Sequence, residues 1–168
     1  MQPAPVPRNE QERLQALHRL GMLDTSADPE LDQLVHHAAC ELQMPIAMVS
    51  LVDSERQWFK ARIGLAPAEL PRTVSFCGHA ICGEDLFVIE DALHDERFAD
   101  NPLVTGEPHI RFYAGVPLRS PDSHRIGTLC VIDTRPRTLT PEQCALLRAL
   151  GNVAAWELAR VHWMSARA

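Results

Sequence analysis

From Asn9 onward, Leu14, Leu17, Leu20 and Leu23 recur at three-residue steps while Glu10, Glu12, Arg13 and Arg19 fill the other faces. That pattern predicts an amphipathic helix with Asn9 as its cap. A second helix is expected from Asp28-Pro29-Glu30, where Asp accepts free amides, Pro suits the first helical position and Glu complements the dipole. Leu31, Leu34, Val35, Ala38, Ala39 and Leu42 share its apolar face. After Pro45 the run Ile46 to Val52 reads as a buried strand. Asp53-Ser54-Glu55 makes a turn, and Gln57 to Ile63 returns as the second arm of a hairpin ended by Gly64. Leu65 to Gly83 carries Pro67, Pro71, Gly78 and Gly83 and reads as a long connection with a short helical piece around Phe76 to Cys82. Phe87 to Ile89 is a short strand, and the stretch from Asp91 to Ile110 is a loop long enough to need a functional reason. Arg111 to Leu118 and Arg125 to Asp133 form a second hairpin across Ser120-Pro121-Asp122-Ser123-His124. Thr140-Pro141-Glu142-Gln143 then opens a terminal helix with a capping box, whose stripe is Leu146, Leu147, Leu150, Val153, Ala154, Leu158 and Val161.

Tight hairpins favour an antiparallel sheet, and helices at the two chain ends would cover one of its faces. The expected class is α+β, with the other face roofed by the two long connections and a cavity under that roof. On Arg111 to Leu118, Phe112, Ala114, Val116 and Leu118 share one face, and Arg111, Tyr113, Gly115 and Pro117 the other. Trp58 and Phe59 fall on opposite faces of their strand, and alternation does not say which faces a core. Pro3, Pro5 and Pro7 make residues 1–8 a flexible tail, followed by one domain over 9–165 and a short tail at 166–168.

Composition narrows the function. A length of 168 residues, 46% apolar and 23% charged, is that of one globular domain. A formal charge of −6 without a basic run offers no field for nucleic acid or an anionic membrane. No apolar run approaches the length of a membrane span. Five cysteines without repeated spacing do not form a disulfide framework, and the start lacks a signal peptide, so a cytoplasmic chain with reduced thiols is expected.

Five segments carry a family resemblance: Asp53 to Lys60, Ser75 to Ile81, Asp95 to Val104, Ile110 to Leu118 and Gly127 to Asp133. Together they resemble bacterial GAF domains, in particular a subgroup with a Phe-Cys-x-His-Ala segment. The resemblance implies a GAF-like, profilin-like antiparallel sheet with a small-molecule pocket, and terminal helices that pair subunits into a homodimer. It also implies a regulatory role over an output protein rather than catalysis. Neither the ligand nor any cofactor is named by it. On the same fold the enzyme alternative is free methionine sulfoxide reduction, for which Cys77, Cys82 and Cys130 are the candidate thiols; Asp91 to Tyr113, where that family keeps its catalytic cysteine, has none. A ligand-free dimerisation module is the other alternative. Covalent bilin attachment is disfavoured because Gly78 separates Cys77 from His79.

The candidate ligand-binding residues are Phe76, Cys77, His79, Phe98, Asn101, His109, Arg111, Tyr113 and Cys130. Arg97 to Tyr113 mixes apolar walls with donors, as small-molecule pockets do, although Arg111 could instead pair with Asp91 or Asp95 to lock the loop. Cys77 and His79 at a helix start suit either a redox thiol or a small hydrophobe in a tight turn. Cys77, His79 and Cys82 are too few to close a tetrahedral metal site. Asp133 before Thr134-Arg135-Pro136 reads as a turn former.

Overall fold

The computed structural model describes residues 1–165 and 167, so the tail expected at 166–168 lies, apart from Arg167, outside the described residues. The helices are α1 (Glu10–Leu20), α2 (Pro29–Leu42), α3 (Phe76–Ala80), α4 (Pro102–Thr105) and α5 (Pro141–Ser165). The strands are β1 (Ile46–Val52), β2 (Arg56–Ile63), β3 (Glu69–Pro71), β4 (Phe87–Ile89), β5 (Phe112–Arg119) and β6 (Arg125–Asp133). They form one six-stranded sheet in the order β3-β2-β1-β6-β5-β4. Every pairing is antiparallel, as the hairpins required.

This order explains the roof. β3 and β4 lie on opposite edges, so the chain from Arg72 to Leu86 has to cross the whole sheet, a span of about 24 Å at ordinary strand spacing. It runs over the face that the terminal helices leave open. The alternation of each strand then feeds two separate cores. Ala47, Val49 and Leu51 of β1, Trp58 of β2, Phe112 and Ala114 of β5 and Val131 of β6 pack under α1, α2 and α5. Met48, Phe59, Tyr113, Cys130 and Ile132 face the roof, where Phe76, Ile81 and Phe98 meet them. Trp58 and Phe59 are thus both core, one on each face. An extra residue in β2, Lys60, keeps Ala61 on the helix side with Trp58, and the register against β1 shifts there.

Local chemistry fixes the helix ends. Asp28 accepts from the Leu31 amide at 3.1 Å. Thr140 and Gln143 exchange the two hydrogen bonds of a capping box, at 2.9 and 3.2 Å. Asn9 does not cap α1 with its side chain, contrary to the sequence reading. Its amide instead faces His124 across the chain at 3.3 Å. Residues 1–8, expected to be a flexible tail, form no helix or strand; the Gln2 backbone amide donates to Arg97 O at 3.1 Å, and His79 Nε2 meets Gln2 O at 3.1 Å. No helix among the described residues is long and apolar enough to cross a membrane.

An ion cluster ties α1 to the roof. Arg13 is buried, donates to Val52 O at 2.7 Å and makes a two-pronged contact with Glu10 at 2.8 Å, while Arg72 approaches the same carboxylate from the roof. Burial would raise the Glu10 carboxyl, but hydrogen bonds and charge from the two guanidiniums outweigh it and lower its pKa from 4.5 to about 2. Because the folded value lies below the unfolded one, the stability Glu10 supplies is present above pH 4.5 and is lost as pH falls toward 2. Discounted for solvent screening, that contribution is about 1–2 kcal/mol. Urea titrations of the parent chain and Glu10→Gln should therefore differ at pH 6 and converge near pH 2. A gap that stays constant over this range would remove Glu10 from the acid response.

Candidate functional site

The roofed face centres on the sulfur of Cys77. Ser75 caps α3, accepting from the Gly78 amide at 2.9 Å, which leaves its own proton free for Gln57 Oε1. With its oxygen held this way, the Gln57 amide directs Nε2 at Cys77 Sγ, 3.1 Å away. Thr128 Oγ1 donates to the same sulfur at 3.1 Å and the Tyr113 hydroxyl at 3.2 Å. The Tyr113 hydroxyl reaches it because Gly115, two residues along the same strand face, has no side chain; a Cβ there would stand 2.2 Å from that oxygen. The Ser50 hydroxyl, paired across from Thr128, is buried and without a hydrogen-bond partner among the described residues. Cys130 Sγ completes the group, 3.8 Å from Cys77 Sγ.

Burial would push the Cys77 thiol up. Hydrogen bonds from Cys130, Thr128 and Tyr113 overcome that and draw it down to about 7. Burial, with the neighbouring Cys77 sulfur second, holds Cys130 well above the ordinary thiol range and likewise raises Tyr113. Within the pair, Cys77 is the thiol that ionises first.

A recess opens beside this cluster, walled by Met48, Phe59, Leu70, Leu103, Ile110 and Ile132, with Gln57, Cys77 and Tyr113 as its polar points. It holds about 20 Å³, the room of about one water. The recess lies under the roof, where the sequence reading expects a cavity, and it is small because aromatic side chains occupy the space beside it. Phe76 stacks on Phe98 with centroids 4.2 Å apart, Tyr113 lies 5.4 Å from Phe76, and His79 meets Phe98 edge-on at 4.7 Å.

The nine candidate residues separate into three groups. Phe76, Cys77 and Tyr113 line the recess. His79, Phe98 and Cys130 are packed behind it; burial lowers the His79 pKa and so favours its neutral ring. Asn101, His109 and Arg111 are not among the residues that line the recess. Asn101 caps α4, accepting from Leu103 N at 2.9 Å, and donates to Val74 O at 3.1 Å, tying the two roof segments together. Arg111 donates to Val104 O and Ile110 O, both at 3.0 Å, and meets neither Asp91 nor Asp95. Asp95 takes Arg97 instead, and Asp91 caps Leu93. His109 is exposed at positive φ. Asp133 accepts from Arg137 at 2.9 Å and braces the turn. Among the described residues no three His, Cys, Asp or Glu side chains gather as a metal site requires.

Gln57, Ser75 and Thr128 were missed as site residues by sequence reasoning. A signal existed: Gln57 and Thr128 are polar positions on strand faces otherwise occupied by Phe59, Cys130 and Ile132.

An antiparallel sheet with terminal helices on one face and a loop roof over a small recess on the other defines the class, an α+β domain with a roofed sheet face. The chain belongs to the GAF domain family, whose model matches residues 23–158. GAF domains are sensory modules of signalling proteins and are generally regulatory. Over 158 residues the chain is 42% identical to the cyclic di-GMP phosphodiesterase PA2567 of Pseudomonas aeruginosa; the match covers 94% of this chain and 27% of that protein. The chain thus spans about a quarter of its relative's length. The GAF domain of a phosphoenolpyruvate-protein phosphotransferase from Coxiella burnetii superposes with a TM-score of 0.69 at 16% identity, covering 93% of this chain and 98% of that one. The free methionine-R-sulfoxide reductase of Neisseria meningitidis, solved with its substrate, gives 0.63 at 18% identity, over 88% and 87% of the two chains. At these identities the two structures speak for the fold alone.

Proposed function

We propose that this chain is the regulatory sensory domain of a signalling protein, responding to a small ligand under the roof and passing the change through α1 and α5 to an output module. The observation that carries the reading is the outer face of α5. Leu147, Ala154 and Leu158 pack on the sheet side, whereas Val153, Trp156, Trp163 and Met164 are left about half exposed or more, at 47%, 62%, 58% and 61%. Such a stripe on a 25-residue helix is suited to a second copy of the chain, in a homodimer whose paired helices lead into the next module. The likeness to a cyclic di-GMP phosphodiesterase supports an output that handles this nucleotide, with the present chain as its controlling part.

A ligand would contact Phe76, Cys77 and Tyr113 directly and gain room by displacing Phe98 and His79. Asn101, His109, Arg111 and Cys130 would serve the response by holding the roof segments and the sheet in register. The nearly filled recess favours a second reading, a dimerisation module that keeps its own side chains in the pocket. Native mass spectrometry of the purified protein separates the two. A dimer carrying an added small-molecule mass is expected. A bare dimer would favour the self-filled module, and a monomer at high concentration would overturn transmission through the helices. Trp156→Glu combined with Trp163→Glu should give a folded monomer whose melting temperature no longer depends on protein concentration.

A further inference from the structure

Cys77 and Cys130 are separated by 53 positions in the chain and meet only because α3 lies over β6, with their sulfurs 3.8 Å apart. Buried thiols that serve packing alone behave as small hydrophobes with apolar neighbours. This pair is different: Gln57, Tyr113 and Thr128 all direct protons at one sulfur, and the buried Ser50 hydroxyl beside it has no other partner. Convergent donors are the surroundings that favour a thiolate, the reactive form of cysteine. Cys77 also forms part of the recess wall, whose open space fits a molecule scarcely larger than water.

We infer that Cys77 and Cys130 form a peroxide-responsive thiol pair that closes into a disulfide and locks the roof onto the sheet. Hydrogen peroxide has the size that the recess admits. The Cys77 thiolate attacks one peroxide oxygen, the O–O bond breaks, and the departing hydroxide takes up the thiol's proton to leave as water. Cys77 is then a sulfenic acid. The Cys130 sulfur attacks the Cys77 sulfur, the S–O bond breaks, and the hydroxyl departs with the Cys130 proton as a second water. In sum, two thiols lose two electrons and two protons, and one peroxide becomes two waters. A dithiol reductant returns the pair to its starting state.

The geometry requires little movement. A disulfide needs the sulfurs about 2 Å apart, so they must approach by roughly 2 Å, and α3 is a short helix between irregular segments. β6 sits between β1 and β5 at the centre of the sheet. A bond from β6 to α3 therefore fixes the roof to a central strand of the sheet. The lowered pKa of Cys77 suits it to the attacking role, and the part of the rise at Cys130 that comes from the Cys77 charge disappears once Cys77 is a neutral sulfenic acid.

The test is peptide mapping by mass spectrometry of the reduced, purified chain after a few equivalents of hydrogen peroxide, under non-reducing conditions. A cross-linked peptide pair containing Cys77 and Cys130, lighter by two hydrogens and reversed by dithiothreitol, is expected before oxidation at Cys40, Cys82 or Cys144. Cys130→Ser should instead accumulate one added oxygen on the Cys77 peptide. Thr128→Val should slow the cross-link several-fold while leaving the final yield unchanged. Oxidation of Cys40, Cys82 or Cys144 with Cys77 and Cys130 still reduced would overturn the inference. So would direct oxidation of Cys130 in a Cys77→Ser chain at the parent rate. The parent measurement needs no variant, so it stands even where a substitution impairs folding.

Discussion

Gly127→Ala should melt about 10 °C below the parent chain, corresponding to a loss of about 3–5 kcal/mol. Gly127 lies in β6 opposite Leu51 of β1, next to the pair formed by Thr128 and Ser50. A Cβ at this position would stand 1.9 Å from Ser50 O and 2.9 Å from Ser50 C. Those are backbone atoms, so no rotamer change relieves the clash. The β1 and β6 strands would have to separate at the middle of the sheet, weakening the ladder bonds there and opening both cores at once. The loss would also spread to the thiol cluster, because Thr128 and Ser50 flank the point of separation. Gly83→Ala is the matching control: its Cβ would meet only Ala80 O at 3.6 Å, and little change is expected. Thermal unfolding followed by circular dichroism compares them. Equal melting temperatures for the two variants would show that the sheet relaxes around the added methyl.

Phe98→Ala should cost a similar amount, about 3–5 kcal/mol, but with the damage confined to the roof. The Phe98 ring has no exposure, stacks face to face on Phe76, meets His79 edge-on, and lies under the Arg97 guanidinium at 5.4 Å. Removing it leaves an apolar hole next to a recess of about 20 Å³. The helix-side core is a separate cluster beneath the sheet and loses no contact. Hydrogen exchange should therefore quicken across the roof, from Phe76 to Ile110, while α2 and β1 keep their protection. Added indole, which is apolar and similar in size to the lost ring, should restore part of the stability by filling the hole. Uniform loss of protection over both cores would show that the domain unfolds as one unit and that the roof is not an independently responsive layer.

Much of the fold was legible because its elements rest on local rules. Leucine spacing identified α1, α2 and α5, and Asp28 and the pair of Thr140 and Gln143 marked two helix starts correctly. Alternation along β5 assigned Phe112 and Tyr113 to opposite faces, each of which has its own core. The limits were local too. β3 is a three-residue strand at the sheet edge paired with β2, and α4 is a single turn, too short for either pattern to register. Asn9 has the right chemistry for a cap, but His124, 115 positions away, faces its side chain.

The candidate site was less legible, because a residue type states what a side chain can do without stating what it meets. Arg111 was rightly singled out as a donor, but the carbonyls of Val104 and Ile110 take its protons. Cys77 and Cys130 were both nominated, although nothing along the chain says that they touch. Periodicity and capping are short-range properties of a polypeptide, so the sequence by itself determined the long helices, the hairpins and the alternating faces of the long strands. The strand order brought β6 beneath α3, set five polar or sulfur-bearing groups around one thiol and narrowed the expected cavity with aromatic rings. Tertiary structure alone decided those features, because they depend on side chains far apart in the chain competing for the same small volume.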